Sequence, residues 1–181
     1  IIRPEVSVTE AVGAMNVLRG NALPGGAPVG WTLHHPQEVK VYQKGDVILL
    51  KPYVASRWKD AEQGPFLWQT VKGDFEMVAK LRVTKAMDTT RAPDAGFQLG
   101  GLMVRPPDAE PENHILLGLA CMGNPQLKLV SQNTLRGNSA IHVTRVEHNE
   151  FVLRLRRVGP GVALHYLDPQ SGSWVLLRQY A

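Results

Sequence analysis

The chain is poor in the residues that announce chemistry. It has one cysteine, Cys121, in 181 residues, so no internal disulfide can form. That thiol sits in the apolar run Ile115-Leu-Leu-Gly-Leu-Ala-Cys-Met122, the setting of a buried, inert cysteine rather than a nucleophile. No apolar run approaches the ~20 residues of a membrane span. There is no His-Glu-x-x-His, no His-x-His and no cysteine pair, which removes the usual zinc ligand sets. His34 and His35 are adjacent, so on a strand they point to opposite faces and cannot chelate together. His114, His142, His148 and His165 are scattered. No Gly-x-Ser-x-Gly elbow and no phosphate-cradling glycine loop is present. The composition calls for no metal or organic cofactor.

What is present is ordinary globular material: 44% hydrophobic and 20% charged residues, enough for a full core without staples. The net charge of +4 is modest, and residues 126–181 carry seven arginines and lysines against Glu147, Glu150 and Asp168. Such a surplus reads as a solvated sheet face or as weak attraction to anionic polymers. No helix-turn-helix, zinc-finger or RNA-binding motif accompanies it, so nucleic acid is not an expected partner.

The C-terminal third is the clearest region. Residues 150–158, 161–168 and 174–180 are three runs rich in β-branched, aromatic and leucine side chains. Gly159-Pro160-Gly161 and Asp168-Pro169…Ser171-Gly172 separate them, which predicts a meander of antiparallel strands. In the first run Phe151, Leu153 and Leu155 share one face, and Arg154 and Arg156 share the other. One face is buried and one is wet, as in a sandwich rather than a parallel core. Upstream, residues 38–43 and 47–52 flank Lys44-Gly45-Asp46 as a hairpin, and 65–71 and 74–83 flank Lys72-Gly73 as a second. Four more strands are expected at 95–105, 114–122, 126–133 and 140–147. About eleven short strands without a long helix among them predict an all-β, two-sheet antiparallel β-sandwich of the jelly-roll kind. Residues 8–19 have the pattern of a short helix. We therefore divide the chain into an N-terminal extension, 1–30, packing on the domain, and a sandwich, 31–181. The chain opens on Ile1-Ile2 without an initiator methionine, as a processed protein or an excised domain would.

The order of motifs resembles a known superfamily. Pro65-Phe-Leu-Trp-Gln-Thr-Val-Lys-Gly-Asp-Phe-Glu-Met77 precedes Gly100-Gly-Leu-Met-Val-Arg105, and Leu153-Arg-Leu-Arg-Arg-Val-Gly159 precedes Tyr166, Asp168, Gly172 and Trp174. This resembles the concanavalin A-like lectin/glucanase superfamily, in particular its bacterial laminin-G-like branch, over residues 31–180. The resemblance implies a secreted or periplasmic, carbohydrate-associated domain. Its lectins, glucanases and other sugar-processing enzymes share one fold, so the fold alone does not choose among them.

Glucanases of that superfamily carry carboxylates at i, i+2 and i+4 on one strand, where one acts as nucleophile and another as acid. Here only Asp108-Ala-Glu110-Pro-Glu112 has the spacing, inside a proline-rich stretch that cannot join an interior ladder. We read it as an acidic loop whose oxygens are also of the type that binds calcium. A glucanase mechanism is therefore not expected, and the chain reads as a binding domain rather than an enzyme. The alternatives are a sugar-processing enzyme similar to the 3-keto-disaccharide hydrolases, or a structural protein-interaction domain. Sugar recognition uses aromatic faces and planar amide or guanidinium groups. On that basis the candidate binding residues are Arg105, Gln69, Trp58, Tyr53, Gln132 and Asn133, facing a carbohydrate or polysaccharide, including an anionic one. Trp68 and Trp174 interrupt apolar strands and are expected in the core. Arg105 ranks first: it is expected on an open face, with Arg105→Ala nearly neutral for stability.

Overall fold

The structure, a computed structural model, describes residues 27–85, 88–94, 96–107, 112–123 and 125–181. The helix expected over 8–19, and the N-terminal extension as far as residue 26, lie outside the described residues. Among the described residues there are twelve strands, one short 3-10 turn and no α-helix, and every strand pairing is antiparallel. No helix among them is long and apolar enough to cross a membrane. They fall into two compact units, 27–71 and 72–181.

In the first unit, β1 (Thr32–His34) pairs with β4 (Phe66–Trp68), and β2 (Val39–Lys44) pairs with β3 (Val47–Pro52). The second pair is the expected hairpin around Lys44-Gly45-Asp46, with Gly45 supplying the positive φ of 55°. Val39 and Val41 are buried while Lys40 between them is exposed, the period-two pattern of a half-buried strand.

The second unit holds β5 (Phe75–Arg82), β6 (Phe97–Val104), β7 (His114–Met122), β8 (Leu127–Leu135), β9 (Asn138–Arg145), β10 (Glu150–Val158), β11 (Gly161–Leu167) and β12 (Trp174–Tyr180). One sheet runs β6-β7-β8-β9; the other runs β12-β11-β10-β5. The chain changes sheet after β5 and after β9, and the remaining connections are hairpins or short loops within a sheet. The hairpin expected around Lys72-Gly73 does not form, because β4 pairs with β1 and β5 with β10. Asp74 supports the second pairing: its carboxylate accepts the Gly159 amide at 2.8 Å, tying the start of β5 to the β10–β11 turn. In that turn Gly159, not Gly161, takes the positive φ, at 56°. It is a two-residue loop, tighter than the Gly-Pro-Gly reading implied.

Between the two sheets lies one apolar cluster. β7 contributes Leu117, Leu119 and Cys121; β8 Leu127 and Leu129; β10 Phe151, Leu153 and Leu155; β11 Val162 and Leu164. Leu117, Leu119, Leu129, Leu153, Leu155 and Leu164 are each fully buried, and each contributes roughly 1.5–3 kcal/mol of transfer free energy. Cys121 is buried and forms no disulfide, as expected. This is an antiparallel sandwich of two facing sheets. Gly101 on β6 is held by close approach: a Cβ there would lie 2.4 Å from the Leu117 carbonyl oxygen and 2.8 Å from the Gly118 Cα.

Candidate functional site

The six residues singled out from sequence are divided between the two units. Tyr53, Trp58 and Gln69 belong to the 27–71 unit. Tyr53 and Gln69 are exposed, whereas the Trp58 ring packs edge-on against Phe66 and donates Nε1–H to the Pro65 carbonyl at 3.4 Å. Arg105, Gln132 and Asn133 belong to the 72–181 unit, and the first two join one network through Glu112 and His114. Asn133 alternates away from Gln132, onto the face that carries Leu129 and Ser131.

Arg105 and Gln132 end on a buried polar network built around His114. Arg105 Nη2 donates to Glu112 Oε2 at 3.0 Å, and Glu112 Oε1 lies 3.2 Å from His114 Nδ1. The other imidazole nitrogen, Nε2, lies 2.9 Å from the Gln132 amide nitrogen and 3.0 Å from Thr134 Oγ1. An amide nitrogen only donates, so Nε2 accepts and the proton sits on Nδ1, facing the carboxylate. Burial pushes the His114 pKa below its usual value, and the Glu112 contact opposes that push without reversing it. Thr134 continues to Ser139 Oγ at 2.8 Å, across the β8–β9 register. The loop that delivers Glu112 is fixed by its backbone: Gly137 N donates to Glu112 O, and Arg136 N to Asn113 Oδ1, both at 2.8 Å.

Carboxylate, imidazole and hydroxyl in this order have the form of a nucleophile relay. Yet Glu112, His114, Gln132 and Thr134 are 4%, 2%, 3% and 1% exposed, which leaves no room for a substrate at the hydroxyl. The network satisfies the hydrogen-bonding needs of these buried polar groups. Of the acidic loop expected at 108–112, residues 108–111 lie outside the described residues, and Glu112 turns inward. Among the described residues no group of three or more His, Cys, Asp or Glu side chains could hold a metal ion.

One open surface of the unit is the outer face of the β12-β11-β10-β5 sheet. Arg154 is opposite Val78 on one side and His165 on the other; Arg156 is opposite Glu76 and Ala163; His165 is opposite Leu176. The period of two places all of these on the face away from Leu153, Leu155 and Leu164. A register shift at Leu164/His165 brings Leu176 and Trp174 onto the same face. The Arg154 guanidinium lies 4.2 Å from the centroid of the Trp174 ring. Trp174 is therefore an exposed platform residue, not the core residue expected, because it opens β12 at the sheet's margin beside the polar turn 168–173. Asp168 holds that turn, accepting from the Gln170 amide at 3.2 Å and the Ser171 hydroxyl at 2.7 Å, and these bonds keep its carboxyl below the usual range.

Beside the Arg154–Trp174 pair, Arg156, Val158, Ala163, His165, Leu176 and Gln179 line an open groove of about 290 Å³. His165 Nδ1 and Arg154 Nε are shielded from water and have no hydrogen-bond partner among the described residues. Burial, reinforced by the neighbouring Arg154, lowers the His165 pKa and favours the neutral ring. The face thus combines an aromatic plane, apolar patches and planar polar groups that converge on a shallow groove. The sequence carried part of this signal, in the outward Arg154 and Arg156, but not the partners that β11 and β12 bring alongside.

Comparison with protein-family models, with curated proteins and with solved structures finds no match.

Proposed function

We propose that this is a lectin-like, carbohydrate-associated binding domain whose ligand lies on the outer face of the β12-β11-β10-β5 sheet. The observation that supports the reading is the Arg154–Trp174 platform next to the groove of Arg156, His165 and Gln179. An indole plane suits the C–H face of a pyranose ring, and guanidinium and amide groups suit its paired hydroxyls. The shallow, open shape fits a polymer lying across strands better than a small molecule enclosed in a pocket. A secreted or periplasmic location, where polysaccharides are met, belongs to the same proposal. The test is a glycan array probed with the full chain and with Trp174→Ala, each with and without calcium. The expected outcome is binding to a subset of glycans that is lost in Trp174→Ala. Binding unchanged by that substitution would place the ligand elsewhere, and the calcium arm reports separately whether the ion takes part.

A further inference from the structure

The open face has a charge asymmetry that a neutral sugar does not answer. Lys80, Arg82, Arg154 and Arg156 project from it, against Glu76 and Glu150. Glu150 is taken by Lys80 at 2.6 Å. Glu76 stands 4.0 Å from Arg154, beyond hydrogen-bond reach, and its side chain is 43% exposed. Arg156 makes no ion pair among the described residues and lines the groove. Two further nitrogens beneath the same surface, Arg154 Nε and His165 Nδ1, are desolvated without partners among the described residues. Arg154 and His165 are direct register partners, and Arg156 lies two residues along on the same face. The groove is thus bordered by the Arg156 guanidinium, with no ion-pair partner among the described residues, and the Arg154 guanidinium stands beside it.

Resting on the carbohydrate reading above, we propose that the groove is selective for an acidic polysaccharide, with a carboxylate or sulfate of the sugar at Arg156 and the ring toward Leu176 and Trp174. A carboxylate or sulfate offers acceptor oxygens in the paired geometry that a guanidinium fork matches, and it neutralises the surplus charge. Hydroxyl groups would leave that charge uncompensated. The apolar side of the groove, Leu176 and Val158, supplies contact for the unsubstituted face of the ring.

The test compares wild-type chain, Arg156→Ala and Lys72→Ala for binding to polygalacturonate, dextran sulfate and unmodified dextran, at low and at high salt. Lys72 is an exposed cation on the loop before β5, and its removal costs the same charge without touching the groove. The expected result is binding of polygalacturonate or dextran sulfate in preference to dextran. Arg156→Ala should weaken it about tenfold or more, as the loss of a charge-assisted hydrogen bond implies. Lys72→Ala should match wild type, and all three should melt at the same temperature. Preference for polygalacturonate assigns a carboxylate, and preference for dextran sulfate assigns a sulfate. Equal weakening by both substitutions would reduce the effect to net charge and overturn the proposal. Binding of dextran or other neutral glycans that survives Arg156→Ala would overturn the acidic assignment alone. Failure to bind every glycan, neutral or acidic, would overturn both it and the reading on which it rests.

Discussion

The two sheets of the 72–181 unit share one core and differ on their other faces. On β7 and β8 the second face is nearly as buried as the first: Leu116, Ala120, Val130, Gln132 and Thr134 are all at 3% exposure or less. On β10, β11 and β12 the second face carries Arg156, Val158, Leu176 and Gln179 in the open. Strand alternation assigns a residue to a face with equal reliability in both sheets. What lies over that face is a separate matter, and it decides whether a polar side chain is a structural fixture or is available to a ligand. Gln132 and Gln179 make the point. Both interrupt apolar strands, yet one is locked between His114, Thr134 and Ser139 and the other lines a groove.

The shared face provides the largest effects. Leu129→Ala on β8 and Leu155→Ala on β10 remove fully buried side chains from opposite sides of one cluster. Each is expected to cost about 2–5 kcal/mol, read from the midpoint of urea unfolding. If one were nearly neutral, the two sheets would not share a single core as described. Next come the carboxylates of the two other faces. Glu112→Ala strips a buried partner from Arg105 and His114 and is expected to cost about 3–5 kcal/mol. Glu76→Ala, on the open face, should stay within about 0.5 kcal/mol. Similar values for the pair would erase the distinction between the two sheets.

Much of the fold was legible because it depends on local pattern. The strands over 114–122 and 150–158 appear with the expected bounds, since alternating leucines and clear turn residues leave little choice of register. The pairing of 65–71 with 74–83 was misread because Lys72-Gly73 has the chemistry of a hairpin turn, and nothing local reveals that Asp74 caps the distant Gly159 turn. The candidate site was less legible. Alternation puts Arg154 and Arg156 on a wet face, as observed, whereas the apolar neighbours of Trp174 suggest a core position that it does not take. Arg105 does lie opposite Leu102 and Val104, but sequence shows which side a residue takes and not its burial there, and the same holds for Gln132. Glu112-x-His114 does put a carboxylate and an imidazole two residues apart at the start of a strand, a spacing that could have been noticed. Thr134 and Ser139 join them only through tertiary register.

Acid offers a way to probe both faces at once. His114 and His165 are each held below the ordinary imidazole pKa, first of all by burial. The unfolded chain then takes up a proton more readily than the folded one. Stability that is complete above ~6.5 is lost as the pH falls below it. The melting temperature is expected to drop between about pH 7.5 and about pH 5.5, ahead of the carboxylates Asp88, Asp94 and Asp168, whose lowered pKa values act only near and below ~4. His114→Gln should remove part of the drop, and His165→Gln the remainder. A flat profile in wild-type protein would mean that neither imidazole is protected from protonation in the folded state.

The finest contrast is between two arginines of nearly equal exposure. The Arg105 side chain is 19% exposed and the Arg154 side chain 20%, so accessibility alone predicts the same response to truncation. Their partners predict otherwise. Arg105 donates at 3.0 Å to a carboxylate that is 3% exposed, and its loss removes a cationic partner from that buried charge. Arg105→Ala is therefore expected to cost about 3 kcal/mol, in place of the near-neutral effect expected when it was assigned to an open face. Arg154 faces Glu76 at 4.0 Å, which water can solvate, and stacks on the margin residue Trp174. A cation–π contact at such a site contributes about 0.5–1 kcal/mol, and that is the expected cost of Arg154→Ala. Arg154→Lys keeps the charge over the ring but loses the planar stack, so its cost should be smaller still. Denaturation midpoints of the three variants decide the matter. If Arg154→Ala cost as much as Arg105→Ala, the open face would be braced by its own arginine, which would then be less free to meet a ligand.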